Sequence, residues 1–137
     1  MTALSLPWIS AIFAILAGLI HCYFWFLESV RWRQPAAWQR FGVKNQDEAD
    51  TLAEMAFNQG YYNLVIGIGS IVGAVLLFTG VPALMLFAAG LVVMACATMV
   101  VAAVILLISK PGFLVPVLIQ GVAPIIALFG FFMMHAV

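Results

Sequence analysis

Charge is what this sequence has least of. Only 7% of its 137 residues are charged, five Lys and Arg against five Asp and Glu. A soluble domain carries about 25%. A chain that is 66% hydrophobic has too few polar groups to clothe a water-facing surface, so lipid must be its solvent. The zero net charge withholds the basic footprint of a nucleic-acid partner. Cysteine is scarce as well. Cys22 and Cys96 sit in apolar runs, form neither a metal-ligand spacing nor a disulfide framework, and read as small packing residues. The two histidines, His21 and His135, fall toward opposite membrane faces and make no metal site. No hydrolytic triad, phosphate-cradling glycine loop or haem motif can be read, so no cofactor is expected. No Lys or Arg precedes the first apolar run, which therefore lacks the positive region of a signal peptide and reads as a span. Nothing alternates with period two, which argues against a spanning β-barrel.

What is present is hydrophobic length. A helix needs about 20 apolar residues to cross ~30 Å of hydrocarbon. Four stretches qualify, at about 6–27, 61–79, 83–108 and 113–136. Turn chemistry separates the last three: Gly80-Val81-Pro82 and Lys110-Pro111-Gly112. The expected fold is all-α, one integral membrane four-helix bundle over residues 1–137 with two short links. Arg31, Arg33, Arg40 and Lys44 lie between spans one and two, and Lys110 between spans three and four. These links share one side, and the other side has no Lys or Arg. The positive-inside rule makes the charged side cytoplasmic and both termini non-cytoplasmic. The expected location is the cell inner membrane, multi-pass. Trp32 and Trp38 at the charged end, and Trp8 at the other, fit interfacial anchors.

Nine of the ten charged side chains fall between residues 28 and 54. Within this loop of about residues 29–60, Asn45-Gln46-Asp47-Glu48 has the pattern of a helix start, with an N-cap, a glutamate three residues on and acid in the first turn. A short amphipathic interfacial helix is expected over residues 46–57, with Leu52, Met55 and Ala56 on one face. It is either a lid or a simple connector.

Ionisable and strongly polar groups inside spans cost free energy, so each needs an explanation. His21 and Glu28 are seven apart on span one, on one helical face about two turns apart. Each needs a partner from elsewhere, and Glu28 has Arg31 or the interface as alternatives. At the start of span two, Asn58 and Tyr62 form one stripe and Gln59 and Asn63 the next. Carboxamides suit a polar ligand or an interhelical network equally. On span four, Pro124 removes the helical donor to the carbonyl of Gln120, giving a polar kink that fits a cavity or a packed neighbour. Gly69 and Gly73 make a GxxxG, with Gly67 beside it, that reads as close helix approach within the chain or as a homo-oligomer seam.

His21, Tyr23, Phe26-Leu27-Glu28, Trp32, Phe41-Gly42 and the run Asn58-Gln59-Gly60-x-Tyr62-Asn63 together resemble the domain-of-unknown-function family numbered 1304, over roughly residues 15–70. Gln120 with Pro124 is similar to a Gln…Pro element near that family's C-terminus. The resemblance implies a small bacterial four-helix membrane protein and no assigned activity. Small multidrug transporters also carry a glutamate on span one, but their dual-topology members need balanced loop charge. Membrane-associated glutathione and eicosanoid enzymes bind glutathione through arginines on the second helix, and this chain has none there.

Four functions remain to be weighed. One is a binding bundle, with His21, Glu28, Asn58, Gln59, Tyr62, Asn63 and Gln120 lining a pocket for a lipid-like or small amphipathic molecule. Another is a structural or assembly protein in which these groups are glue. The others are a small transporter, with Glu28 as carrier, and a membrane enzyme using Glu28 and His21 as acid and base, for which no nucleophile is evident. Membrane lipid is the expected surrounding partner in every case.

Overall fold

The computed structural model describes residues 5–135, with side chains from residue 8 to residue 133. Ala136, the expected end of the fourth span, and the side chain of His135 lie outside the described residues. No strand occurs among the described residues. In hydrocarbon every backbone N–H and C=O must be paired within the protein, and a helix does this segment by segment.

Helix α1 runs over Ser5–Trp25 and continues into a π-helical turn over Phe26–Val30. A short helix α2 covers Pro35–Trp38. Then come α3 over Gln46–Leu76, α4 over Pro82–Ser109 and α5 over Leu114–His135. Four of these helical segments are long and apolar enough to cross a membrane. Their outward side chains are large and apolar, with Leu86 77% and Met94 71% exposed. The inward ones are small: Ala14, Ala74, Ala88 and Ala127 are fully buried. Bulk outside and alanine inside is the arrangement for a lipid-facing bundle whose backbones approach closely.

The expected interfacial helix over residues 46–57 and the expected second span from residue 61 are parts of one helix. At 1.5 Å per residue the 31 residues of α3 extend about 46 Å. That exceeds the ~30 Å hydrocarbon layer by about 16 Å, roughly three helical turns. The surplus is the N-terminal part bearing Asp47, Glu48, Asp50 and Glu54. Nothing in Asn58-Gln59-Gly60 stops a helix: there is no proline, and Gly60 costs only about 1 kcal/mol against alanine. The start of α3 has the anticipated cap. Asn45 Oδ1 accepts from the Glu48 N–H at 2.9 Å, and Glu48 Oε2 accepts from the Lys44 N–H at 2.9 Å.

The helices form a ring: α1 packs on α3 and α5, α4 packs on the same two, and α1 and α4 stand on a diagonal. At the α1–α3 crossing, a Cβ on Gly18 would sit 2.6 Å from the Gly67 carbonyl oxygen, and one on Gly67 would sit 2.7 Å from that of Gly18. The GxxxG pair divides its work. Gly73 seats α4 at Val92 and Ala88, whereas Gly69 has no atom within 4 Å of a Cβ position. Two buried serines tie helices together through backbone acceptors: Ser70 Oγ donates to Ala14 O, and Ser10 Oγ to Ala127 O, both at 2.7 Å. The Ala14 carbonyl keeps its own helical bond when Ser70 is lost. Ser70→Ala should therefore cost only about 0.6 kcal/mol, and the double variant with Ser10→Ala about twice that. The midpoint of SDS-induced unfolding reads this directly.

The long link between α1 and α3 is folded. Trp38, Val43 and Ala49 form a small buried cluster, with Trp32 and Leu52 packed on it. Trp32 Nε1 donates to Ala49 O at 2.9 Å. Both tryptophans thus hold the link against the start of α3, where the sequence reading had them as interfacial anchors. Trp8, at the opposite end, is half exposed and stacks on Phe78 at 4.3 Å between ring centroids.

Candidate functional site

The site begins with an irregularity in α1. In the π turn the Arg31 N–H reaches back to Phe26 O at 2.9 Å, five residues away. One extra residue in the turn shifts the following side chains around the helix, and such turns concentrate at functional sites. Here the shift faces Leu27 and Glu28 inward. Glu28 is 7% exposed and accepts from Asn63 Nδ2 at 2.7 Å. The turn is pinned to α3 by Ser29 Oγ, which donates to Phe57 O at 2.9 Å. Gly60 makes this approach feasible: a Cβ there would run into Ser29 Oγ and sit 3.1 Å from Glu28 Cβ. Arg31 stands over the Phe26 ring at 5.8 Å and does not pair with Glu28.

Glu28 lies in the wall of a cavity of about 570 Å³. All four long helices and both links of that end contribute to it. Glu28, Asn63, Gln59, Gln120 and the phenol-bearing Tyr23 are its uncharged or acidic polar residues, and Arg40 and Lys110 add two cations. The rest of the wall is apolar and includes Ile20, Phe24, Leu106 and Pro116. Neither Gln59 nor Gln120 uses its side-chain amide in a hydrogen bond among the described residues. The two links meet at the rim. Gly42, at φ 79°, closes the turn after residues 39–41, and a Cβ there would collide with the Phe113 ring. Lys110 Nζ sits 5.3 Å from the centre of that same ring.

Four of the seven residues singled out from the sequence are therefore together: Glu28, Gln59, Asn63 and Gln120. The other three do not line the cavity. Of the two stripes at the start of span two, the Gln59–Asn63 stripe faces in, and Asn58 and Tyr62 face out, Tyr62 being 67% exposed. His21 is buried, but its Nδ1 lies 2.9 Å from Ala17 O on its own helix, and its ring meets Phe24 edge-on at 5.3 Å. The π turn over Phe26–Val30 begins between His21 and Glu28, and only Glu28 lines the cavity. Helix α5 passes through Pro124 without ending, and Pro124 is fully buried against neighbours. Among the described residues no three His, Cys, Asp or Glu side chains gather as a metal would require.

Sequence reasoning missed Arg40, Phe41, Lys110 and Phe113 as members of the cavity. One signal was present. Lys110 is the single charged residue outside residues 28–54, and it falls on the side that holds all the others.

A family model described as "Protein of unknown function (DUF1304)" matches residues 15–132. No curated protein and no solved structure matches the chain.

Proposed function

Because this chain belongs to the DUF1304 family of proteins of unknown function, membership brings no activity with it, and we propose from the geometry that it binds a small amphipathic, lipid-like molecule inside the membrane. One observation carries the reading. A cavity of about 570 Å³ combines an apolar wall with a buried carboxyl and two side-chain amides that have no partner among the described residues. Small-molecule sites are of this kind, roughly 300–1,000 Å³, mostly apolar, with a few converging polar groups. Gln120 is half-buried and Gln59 exposed at the cavity, so both amides are free to turn toward a polar head, and the buried carboxyl is the group whose desolvation a ligand would relieve. All five Lys and Arg belong to the cavity end. By the positive-inside rule that end faces the cytoplasm of a bacterial cell and the chain sits in the inner membrane.

A second reading has its own support. The Asn63–Glu28 and Ser29–Phe57 bonds hold α1 to α3, as they would in a purely structural protein. The orientation of His21 gives no support to an acid–base pair with Glu28. Native mass spectrometry of protein extracted in mild detergent, wild type beside Glu28→Gln, separates the two readings. Expected under binding is a defined bound mass that the variant loses while remaining folded. No bound mass on the wild type, with a variant that is only less stable, would make the polar cluster an architectural joint.

A further inference from the structure

Charges of both signs line one cavity without meeting. Glu28 is buried in the wall with Asn63 as its hydrogen-bond partner. Arg40 and Lys110 reach the same cavity from two different links and are exposed at its edge. No ion pair joins either cation to Glu28 among the described residues. A carboxylate taken out of water is costly until a cation or several donors meet it. Arg and Lys beside an apolar hollow are the usual receivers of phosphate. A head of one sign would satisfy one half of this arrangement and leave the other half unmet.

The apolar wall bears on where the occupant comes from. Leu19, Tyr23 and Ile119 belong to it, and each is about half exposed on the lipid-facing surface of its helix. The cavity therefore reaches the hydrocarbon at the level of these residues. Its charged groups lie toward the link end, Gln120 follows Ile119 along α5, and Leu19 and Ala102 lie further toward the middle of the bundle. Head and chain positions follow from this order. A volume of about 570 Å³ takes a head and one hydrocarbon chain, and a second chain would have to lie outside in the bilayer.

Resting on the reading of this cavity as a binding site, we infer that its occupant is a single-chain amphiphile with a zwitterionic head of the phosphoethanolamine type, drawn from the bilayer. Its ammonium donates to Glu28, with the amide oxygens of Gln59 and Gln120 as further acceptors. Its phosphate faces Arg40 and Lys110. Its chain lies along Ile20, Leu106 and Ile119.

Four probes test this on protein in a neutral maltoside detergent: dodecyl phosphoethanolamine, dodecyl phosphate, dodecylammonium and free phosphoethanolamine. The first should bind about tenfold more tightly than either single-charge amphiphile, the gain from one added charge-assisted hydrogen bond. Glu28→Gln should erase its advantage over dodecyl phosphate. Arg40→Gln combined with Lys110→Gln, both at exposed positions, should erase its advantage over dodecylammonium. Free phosphoethanolamine should not displace it. Equal affinity for the three amphiphiles, or preferences unchanged in the variants, would overturn the zwitterion assignment. Displacement by free phosphoethanolamine would overturn the bilayer as source. Failure of every amphiphile to bind a folded, monodisperse wild type would sink the binding reading itself.

Discussion

Gly67→Leu is expected to abolish the folded bundle. The crossing of α1 and α3 is closed by two glycines that face each other's backbone. A Cβ on Gly67 would lie 2.7 Å from the Gly18 carbonyl oxygen and 2.9 Å from Cys22 Sγ. A flexible side chain can swing away from such a contact, but a carbonyl in a helix cannot, so the helices must separate. Separation also lengthens the Ser70–Ala14 bond one turn along. Overpacking alone costs about 1–3 kcal/mol. The lost packing of the alanine layers around Ala14 and Ala74 comes on top of that. The expected result is loss of the monodisperse peak in mild detergent. Gly69→Leu is the internal control. A Cβ there meets nothing within 4 Å, so the same change two residues away should leave the elution profile intact. Equal behaviour of the two variants would refute the Gly18–Gly67 crossing.

The second large effect is on the site. Gly60→Ala adds one carbon to a helix interior, where alanine is otherwise favoured by about 1 kcal/mol. Two effects compete, and the local geometry decides between them. The new Cβ runs into Ser29 Oγ, whose position is set by its bond to Phe57 O, and it crowds Ser29 Cβ at 3.2 Å and Glu28 Cβ at 3.1 Å. Rotating the serine hydroxyl away gives up that bond and leaves both Cβ contacts. The π turn must therefore back away from α3, taking Glu28 from Asn63. Net destabilisation of about 1–2 kcal/mol is expected, together with faster hydrogen–deuterium exchange at the Arg31 amide that closes the π turn. Any mass bound to the wild type should be lost from this variant even though no cavity side chain is altered. A more stable Gly60→Ala protein with unchanged exchange at Arg31 would show that the turn is not held by this contact.

The four helices were legible because lipid leaves so few solutions: apolar length, two proline-glycine links and one-sided charge point to the same bundle. The polar residues were legible as a group, but their facing was less so. A seven-residue spacing puts His21 and Glu28 on one face of a regular helix, and the π turn breaks that regularity between them. Nothing in Phe26-Leu27-Glu28-Ser29-Val30 announces an extra residue in a turn. The fusion of the charged segment into α3 was hidden for the opposite reason. A change in polarity at residues 58–60 looks like a boundary, yet polarity does not end a helix when no breaker is present. Asn58 and Asn63 are chemically alike, and only the packing of Gly60 and Gly67 on α1 tells which of them turns inward. Arg40 and Lys110 are 70 positions apart, and it takes the contact of Phe113 with Gly42 to bring their links together.

That contact has a consequence for biogenesis. Phe113 belongs to the link of the second helical hairpin, and Gly42 to the link within the first. Neither hairpin alone contains the cavity, because its wall draws on α1 and α3 from one and on α4 and α5 from the other. Membrane helices insert before they associate, so a chain with its first two spans in place and the rest still emerging has the buried glutamate but no enclosure around it. Completion of the site coincides with the last docking step of assembly, and the aromatic ring that seats on Gly42 arrives with it. A half-inserted or truncated chain therefore has no closed cavity, and an enclosed Glu28 marks a chain whose four spans have all reached their places.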